Sequence, residues 1–164
     1  MPPFFDRYIN LIEDIDIFEA FDKYEPARVY AQTEQLQALG DLVYAPGKWT
    51  VKDILQHVID NERIMGYRAL RFSRGDKTAL AGYEEELLAA NTMAADRSVA
   101  DLMTEFELVR GATIPLFANM SESMLLNVGT ANETQITPLA LGFVILGHPV
   151  HHMHIIRERY FPLL

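Results

Sequence analysis

The stretch from Thr134 to Ile156 contains no Asp, Glu, Lys or Arg, yet it holds four of the five histidines of the chain. A run this long and uncharged has two ordinary fates: it crosses a bilayer, or it forms the central helix of a globular core. Pro138 and Pro149 interrupt it, and placing His148, His151, His152 and His154 in hydrocarbon would cost heavily. The run therefore reads as a core helix with a polar seam, not as a membrane span. Thr137 can cap it and Pro138 suits the first helical position, so a helix is predicted from there to about Tyr160. Pro149, close to Gly147, predicts a kink or bulge beside the histidines.

The remaining chain repeats mostly at helical spacing. Ile17, Ala20, Phe21, Tyr24, Val29 and Leu36 mark one kinked acidic helical region ending near Gly40, and Asp41 to Trp49, with Pro46-Gly47, reads as a loop. Thr50 and Asp53 form a capping pattern ahead of Val51, Ile54, Leu55, Val58, Glu62, Met65 and Ala69, which predicts a helix over Thr50 to Ser73. Ser98 and Asp101 repeat that pattern before Leu102, Phe106, Val109, Thr113, Leu116 and Phe117, giving another helix that Pro115 bends. The connection from Gly75 to Arg97 includes a short helix at Tyr83 to Ala90. Strand-type alternation is scarce, and no repeat or flexible linker appears. These features predict an all-α four-helix bundle, with residues 1–164 as a single domain.

Composition narrows the partners. With 14 Lys and Arg against 23 Asp and Glu, the formal charge of −9 disfavours nucleic acid. The absence of cysteine excludes disulfides, thiolate metal ligands and a Cys nucleophile, so any metal would fall to His, Asp or Glu. Met1-Pro2-Pro3-Phe4-Phe5-Asp6-Arg7 lacks the pattern of a secretory leader, and a cytoplasmic protein is expected.

On a helix, residues four apart differ by about 40° of rotation and about 6 Å of rise, so His148 and His152 point the same way. Imidazole nitrogens about 3.3 Å apart suit tetrahedral zinc, and such a pair can converge to that spacing. His148 with His151 is an alternative pair, while His154 faces away from both. His57, on the flank of the apolar face of its helix, is the remaining histidine. A lone histidine there is also what a hydrogen-bonded core residue looks like, and His-x-x-x-His pairs arise by chance. Three imidazoles together would leave one coordination position open, as catalytic zinc sites do. Pro149 stands where a His-Glu-x-x-His protease has Glu, which disfavours that chemistry.

Three segments resemble the DinB-like (DinB/YfiT) metalloprotein superfamily: Ala45-Pro46-Gly47-Lys48-Trp49-Thr50-Val51-Lys52-Asp53-Ile54-Leu55-Gln56-His57; Tyr67 to Asp76; and Gly147-His148-Pro149-Val150-His151-His152 with Arg157-Glu158-Arg159-Tyr160. The resemblance implies an up-and-down four-helix bundle with a long crossover connection, commonly a homodimer. It also implies a divalent ion, zinc or nickel, held by one histidine of the second helix and a His-x-x-x-His pair of the last. The matching positions are His57, His148 and His152. Relatives include thiol S-transferases and isomerases that use bacillithiol, mycothiol or glutathione, and some are regarded as metal-dependent hydrolases. The functions implied are thus a metal-dependent thiol S-transferase with a low-molecular-weight thiol as co-substrate, a metal-dependent hydrolase, or a non-catalytic bundle that binds a metal or small ligand. In each the partner is a small molecule.

Other residues near these segments carry weaker signals. Asp53 and Asn61 lie one turn on either side of His57, where they could orient a ring or contact an anion, but as exposed helix residues they read as solvated. Arg68, Arg71 and Arg74 either meet acidic groups of a thiol cofactor or pair with Glu84, Glu85 and Glu86. Trp49 reads as an apolar plug at the start of the second helix, and the methionines as core filler.

Overall fold

The computed structural model describes residues 5–164, so the reading of Met1 to Phe4 as lacking a leader lies outside the described residues. The chain opens with a short turn of helix, α1 (Asp6–Ile9). The region expected as one kinked helix is instead three pieces: α2 (Ile17–Lys23), α3 (Pro26–Val29) and α4 (Thr33–Leu39). The first break follows from Pro26, which forces Glu25 into an extended conformation and then starts the next helix at its first position. Gln32, outside helical geometry, makes the second break.

The capping box at Thr50 and Asp53 forms as expected and opens α5 (Val51–Ser73), with the Thr50 amide donating to Asp53 Oδ2 at 2.9 Å. Gly75 at φ +82 then turns the chain out of the helix, a conformation glycine adopts without steric cost. The long connection carries α6 (Glu85–Ala90) and a single 3₁₀ turn at Ala94–Asp96. It leads to α7 (Val99–Ala118), whose Ser98 cap accepts from the Asp101 amide, and then to α8 (Glu122–Leu125). A small antiparallel hairpin, β1 (Gly129–Ala131) with β2 (Thr134–Ile136), was not expected from the sequence. The last long helix, α9 (Pro138–Ile155), runs through Pro149 without interruption, and the irregularity comes later, as a π-helical turn at Ile156–Tyr160. The Pro149 carbonyl accepts from the Tyr30 hydroxyl at 3.1 Å.

The stretch Pro138–Leu163 is long and apolar enough to cross a membrane by length and composition, but 56% of its most apolar window is buried inside the fold. It packs on α5, which packs in turn on α7. The core has two parts. One gathers α1, α2, the second half of α5, the hairpin and α9 as far as Leu146; the other gathers α4, the first half of α5, α7 and α9 from Met153 onward. The segment of α9 between them is where His148 and His152 stand. Deep in the bundle, Arg110 of α7 forms a two-pronged pair with Glu62 of α5, at 3.0 and 2.9 Å, and donates to the Tyr24 carbonyl at 3.0 Å.

Candidate metal centre

Helices α5 and α9 bring three imidazoles from distant parts of the chain to one point. His57 Nε2 lies 3.1 Å from His148 Nε2, and His152 Nε2 lies 3.1 Å from the same atom. The ligating atoms of the three all fall within 4.8 Å of one another. His151 and His154 are not part of the trio: the His151 ring leans against His152 and Tyr8 at 5.2 and 5.4 Å, and His154 is exposed. Of the two pairings the sequence allowed, the i, i+4 pair is the one that converges with His57.

Burial sets the protonation of the trio. It holds His57 down to about 4 and His152, also flanked by His57 and His151, down to about 3. His148 lies well below the ordinary range, through burial first and then its imidazole neighbours. All three rings are therefore neutral at pH 7, the form in which imidazole ligates a cation. Two ring nitrogens approach the single lone pair of His148 Nε2, which one N–H saturates, whereas a cation draws on the lone pairs of all three. The 3.1 Å spacings also match what Zn–N bonds of about 2.0–2.1 Å require. The donor set fits a divalent ion.

The trio is held mainly by packing. His148 Nδ1 is buried with no hydrogen-bond partner among the described residues, so no carboxylate or carbonyl orients this ring. Tyr8 of α1 does so by shape, its ring edge-on to His148 at 5.1 Å. That approach depends on Gly147, where a Cβ would lie 2.0 Å from the Tyr8 carbonyl oxygen. On the other side the Trp49 indole tilts over His57 at 4.9 Å and donates through Nε1 to Glu86 at 3.2 Å. Trp49 thus touches the site instead of merely plugging the helix start. The Tyr160 hydroxyl, on the π-helical turn, fixes the Trp49 carbonyl at 2.5 Å.

Two cavities border the residues that pack on the trio. One of about 380 Å³ is lined in part by Tyr8, Asn61, Arg68, Tyr83 and Glu86. The other, about 160 Å³, is walled by Tyr44, Trp49, Ile54, Ile155 and Tyr160 and reaches His152 and Glu86. His57, Asn61, Met65 and Arg68 form one stripe along α5, and the last three line the larger cavity, which reaches none of the three histidines itself. The expectation that Asn61 is solvated is corrected, since it is 5% exposed and donates to the Tyr83 hydroxyl at 2.7 Å. Asp53 is taken up by the Thr50 cap and does not orient His57. The expected pairing of Arg68, Arg71 and Arg74 with Glu84 to Glu86 is absent among the described ion pairs, because each guanidinium finds a nearer acceptor. Arg71 takes Asp76 at 2.5 Å, Arg68 the Ala81 carbonyl at 3.0 Å and Arg74 the Ser73 hydroxyl at 3.3 Å. Sequence reasoning missed Tyr8, Tyr83 and Glu86; the spacing of Asn61 from His57 was the one available signal.

None of the proteins of curated function matches this chain. Among solved structures, YfiT from Bacillus subtilis, described as a probable metal-dependent hydrolase with an unusual four-helix bundle topology, superposes with a TM-score of 0.70 at 17% identity, covering 94% of this chain and 86% of YfiT. That likeness establishes the fold, a four-helix bundle of the YfiT kind. The family model of the DinB superfamily matches residues 19–156, a span that includes all three converging histidines, and the chain belongs to the DinB superfamily.

Proposed function

We propose that this protein is a metal-dependent enzyme in which His57, His148 and His152 hold a divalent ion, zinc or nickel, and that it transfers a group to a low-molecular-weight thiol. The observation that carries this reading is the convergence of three neutral imidazoles, two buried and one half-buried, the last of them opening on a cavity. When bound, the ion would supply a charge that lowers the pKa of a thiol or a water at its open position. The chain's own residues supply the rest. Tyr8 and Trp49 pack on the rings, and we assign to Glu86, which lines both cavities and accepts from the Trp49 indole, the role of proton acceptor. Two cavities suit a reaction of two organic partners, the smaller one, which reaches His152, offering aromatic walls to an apolar electrophile.

A second reading, a metal-dependent hydrolase, is favoured by what YfiT is described as and by Glu86, which lines the smaller cavity together with His152. Elemental analysis of untagged protein purified without added metal tests the shared premise, with about one zinc or nickel per chain expected. Absence of any bound metal, with no uptake on titration, ends both readings. Assays of thiol conjugation against an electrophile panel, and of ester and amide hydrolysis, then separate them. Conjugation that disappears in His152→Ala supports the transferase, hydrolysis alone supports the second reading, and metal binding without turnover assigns the chain to a binding role.

A further inference from the structure

The larger cavity has a chemistry of its own. Asn61 Nδ2 is committed to the Tyr83 hydroxyl at 2.7 Å, while Asn61 Oδ1, buried in the same wall, has no partner. An unpaired buried acceptor is costly, and a ligand that brings a donor recovers that cost. Glu84, Glu85 and Glu86 add three carboxylates to the lining, against the guanidiniums of Arg7 and Arg68. Arg68 donates to the Ala81 carbonyl at 3.0 Å and Arg7 to the Tyr8 hydroxyl at 2.7 Å, so both direct donors at protein oxygens. The remaining wall is apolar, from Phe5, Met65 and Val144. The lining thus sets three carboxylates against two guanidiniums, a net negative charge, with a greasy surface beside them.

We propose that this cavity binds a small organic cation, a primary ammonium on a short apolar body, with its N–H donated to Asn61 Oδ1 and its charge set against the carboxylates of Glu84 to Glu86. This deepens the functional reading above by naming the chemical class of one reactant, and it rests on that reading only for calling the ligand a reactant. None of the three histidines lines the cavity, so the binding itself does not require the ion.

The test uses the full chain, zinc-free and zinc-loaded, titrated with n-butylammonium, 1-butanol and butyrate by isothermal titration calorimetry, a readout that serves the wild type and every variant alike. Saturable binding of n-butylammonium at least about tenfold tighter than of the other two is expected, weakening as salt rises. Asn61→Leu should lose at least about tenfold and Glu85→Gln should also weaken, whereas Asn61→Asp, which keeps the acceptor and adds charge, should bind as tightly or more so. Three results overturn the proposal: butyrate or butanol binding as well as the ammonium, unchanged affinity in a folded Asn61→Leu protein, or no saturable binding by the wild type. Ammonium binding by a protein that takes up no zinc upholds this inference and sinks the metal reading. Zinc uptake without ammonium binding sinks this inference alone.

Discussion

His148 meets two demands that usually conflict, since its ring is at the centre of the trio and yet takes its orientation from shape. Ligating histidines generally have their second nitrogen tied to an oxygen, and loss of such support typically costs about 10–100-fold in affinity. Tyr8 fills that place by edge contact, so Tyr8→Ala should weaken zinc binding by about tenfold or more with the ligands untouched, as read by competition with a chromophoric chelator. Acid should act on the same rings. His57 moves from an ordinary 6.5 to about 4 on folding and His152 to about 3, so below pH 6.5 the unfolded chain binds more protons than the native one. The stability of the metal-free protein should be full above about pH 6.5 and fall steadily toward pH 4, and a urea midpoint that does not move between those values would contradict this assignment. How much of the site could be read in advance follows from the same geometry. His148 and His152 were legible because one helix fixes their relation, whereas nothing in spacing alone brings His57 to them. Asn61 was misread because a helical pattern names a face without saying that Tyr83, from a loop, covers it.

At the level of the elements, the long helices were legible from apolar periodicity and caps, because both signals are local. The pieces that escaped depend on single residues. One proline divided part of an expected kinked helical region into α2 and α3. The hairpin turns through Asn132 and Glu133 at φ 48 and 61, a two-residue turn normally announced by Asn-Gly, and Glu in the second place hides it. Glu133→Gly should remove the strain of that backbone and raise stability by about 1 kcal/mol, checked by chemical denaturation. Helices α5 and α7 are joined through Glu62 and Arg110, both almost wholly buried. Arg110→Met should destabilise by about 3–5 kcal/mol by stranding the carboxylate, while Glu62→Leu combined with Arg110→Met should recover most of it, since the loss comes from an unpaired charge and not from the absent pair.

For the whole molecule, an ion that binds only the folded chain must stabilise it in proportion to its excess over Kd. At a free concentration of about 100 Kd the gain is about 2.7 kcal/mol, which for a chain of this size corresponds to a rise in melting temperature of about 5–10 °C. Chelation should reverse that rise in the wild type and leave His152→Ala unmoved; a wild-type Tm indifferent to chelator would speak for inert histidines. A single transition in both states would bear out our proposal that residues 1–164 behave as one domain. The position of the trio gives this a further meaning. Two of the rings, those of His148 and His152, stand on α9 where one apolar cluster ends and the other begins. A cation seated there would act as a rivet between two halves that otherwise share only neighbouring helices, so that openings which loosen one end independently would become, in its presence, openings of the entire bundle.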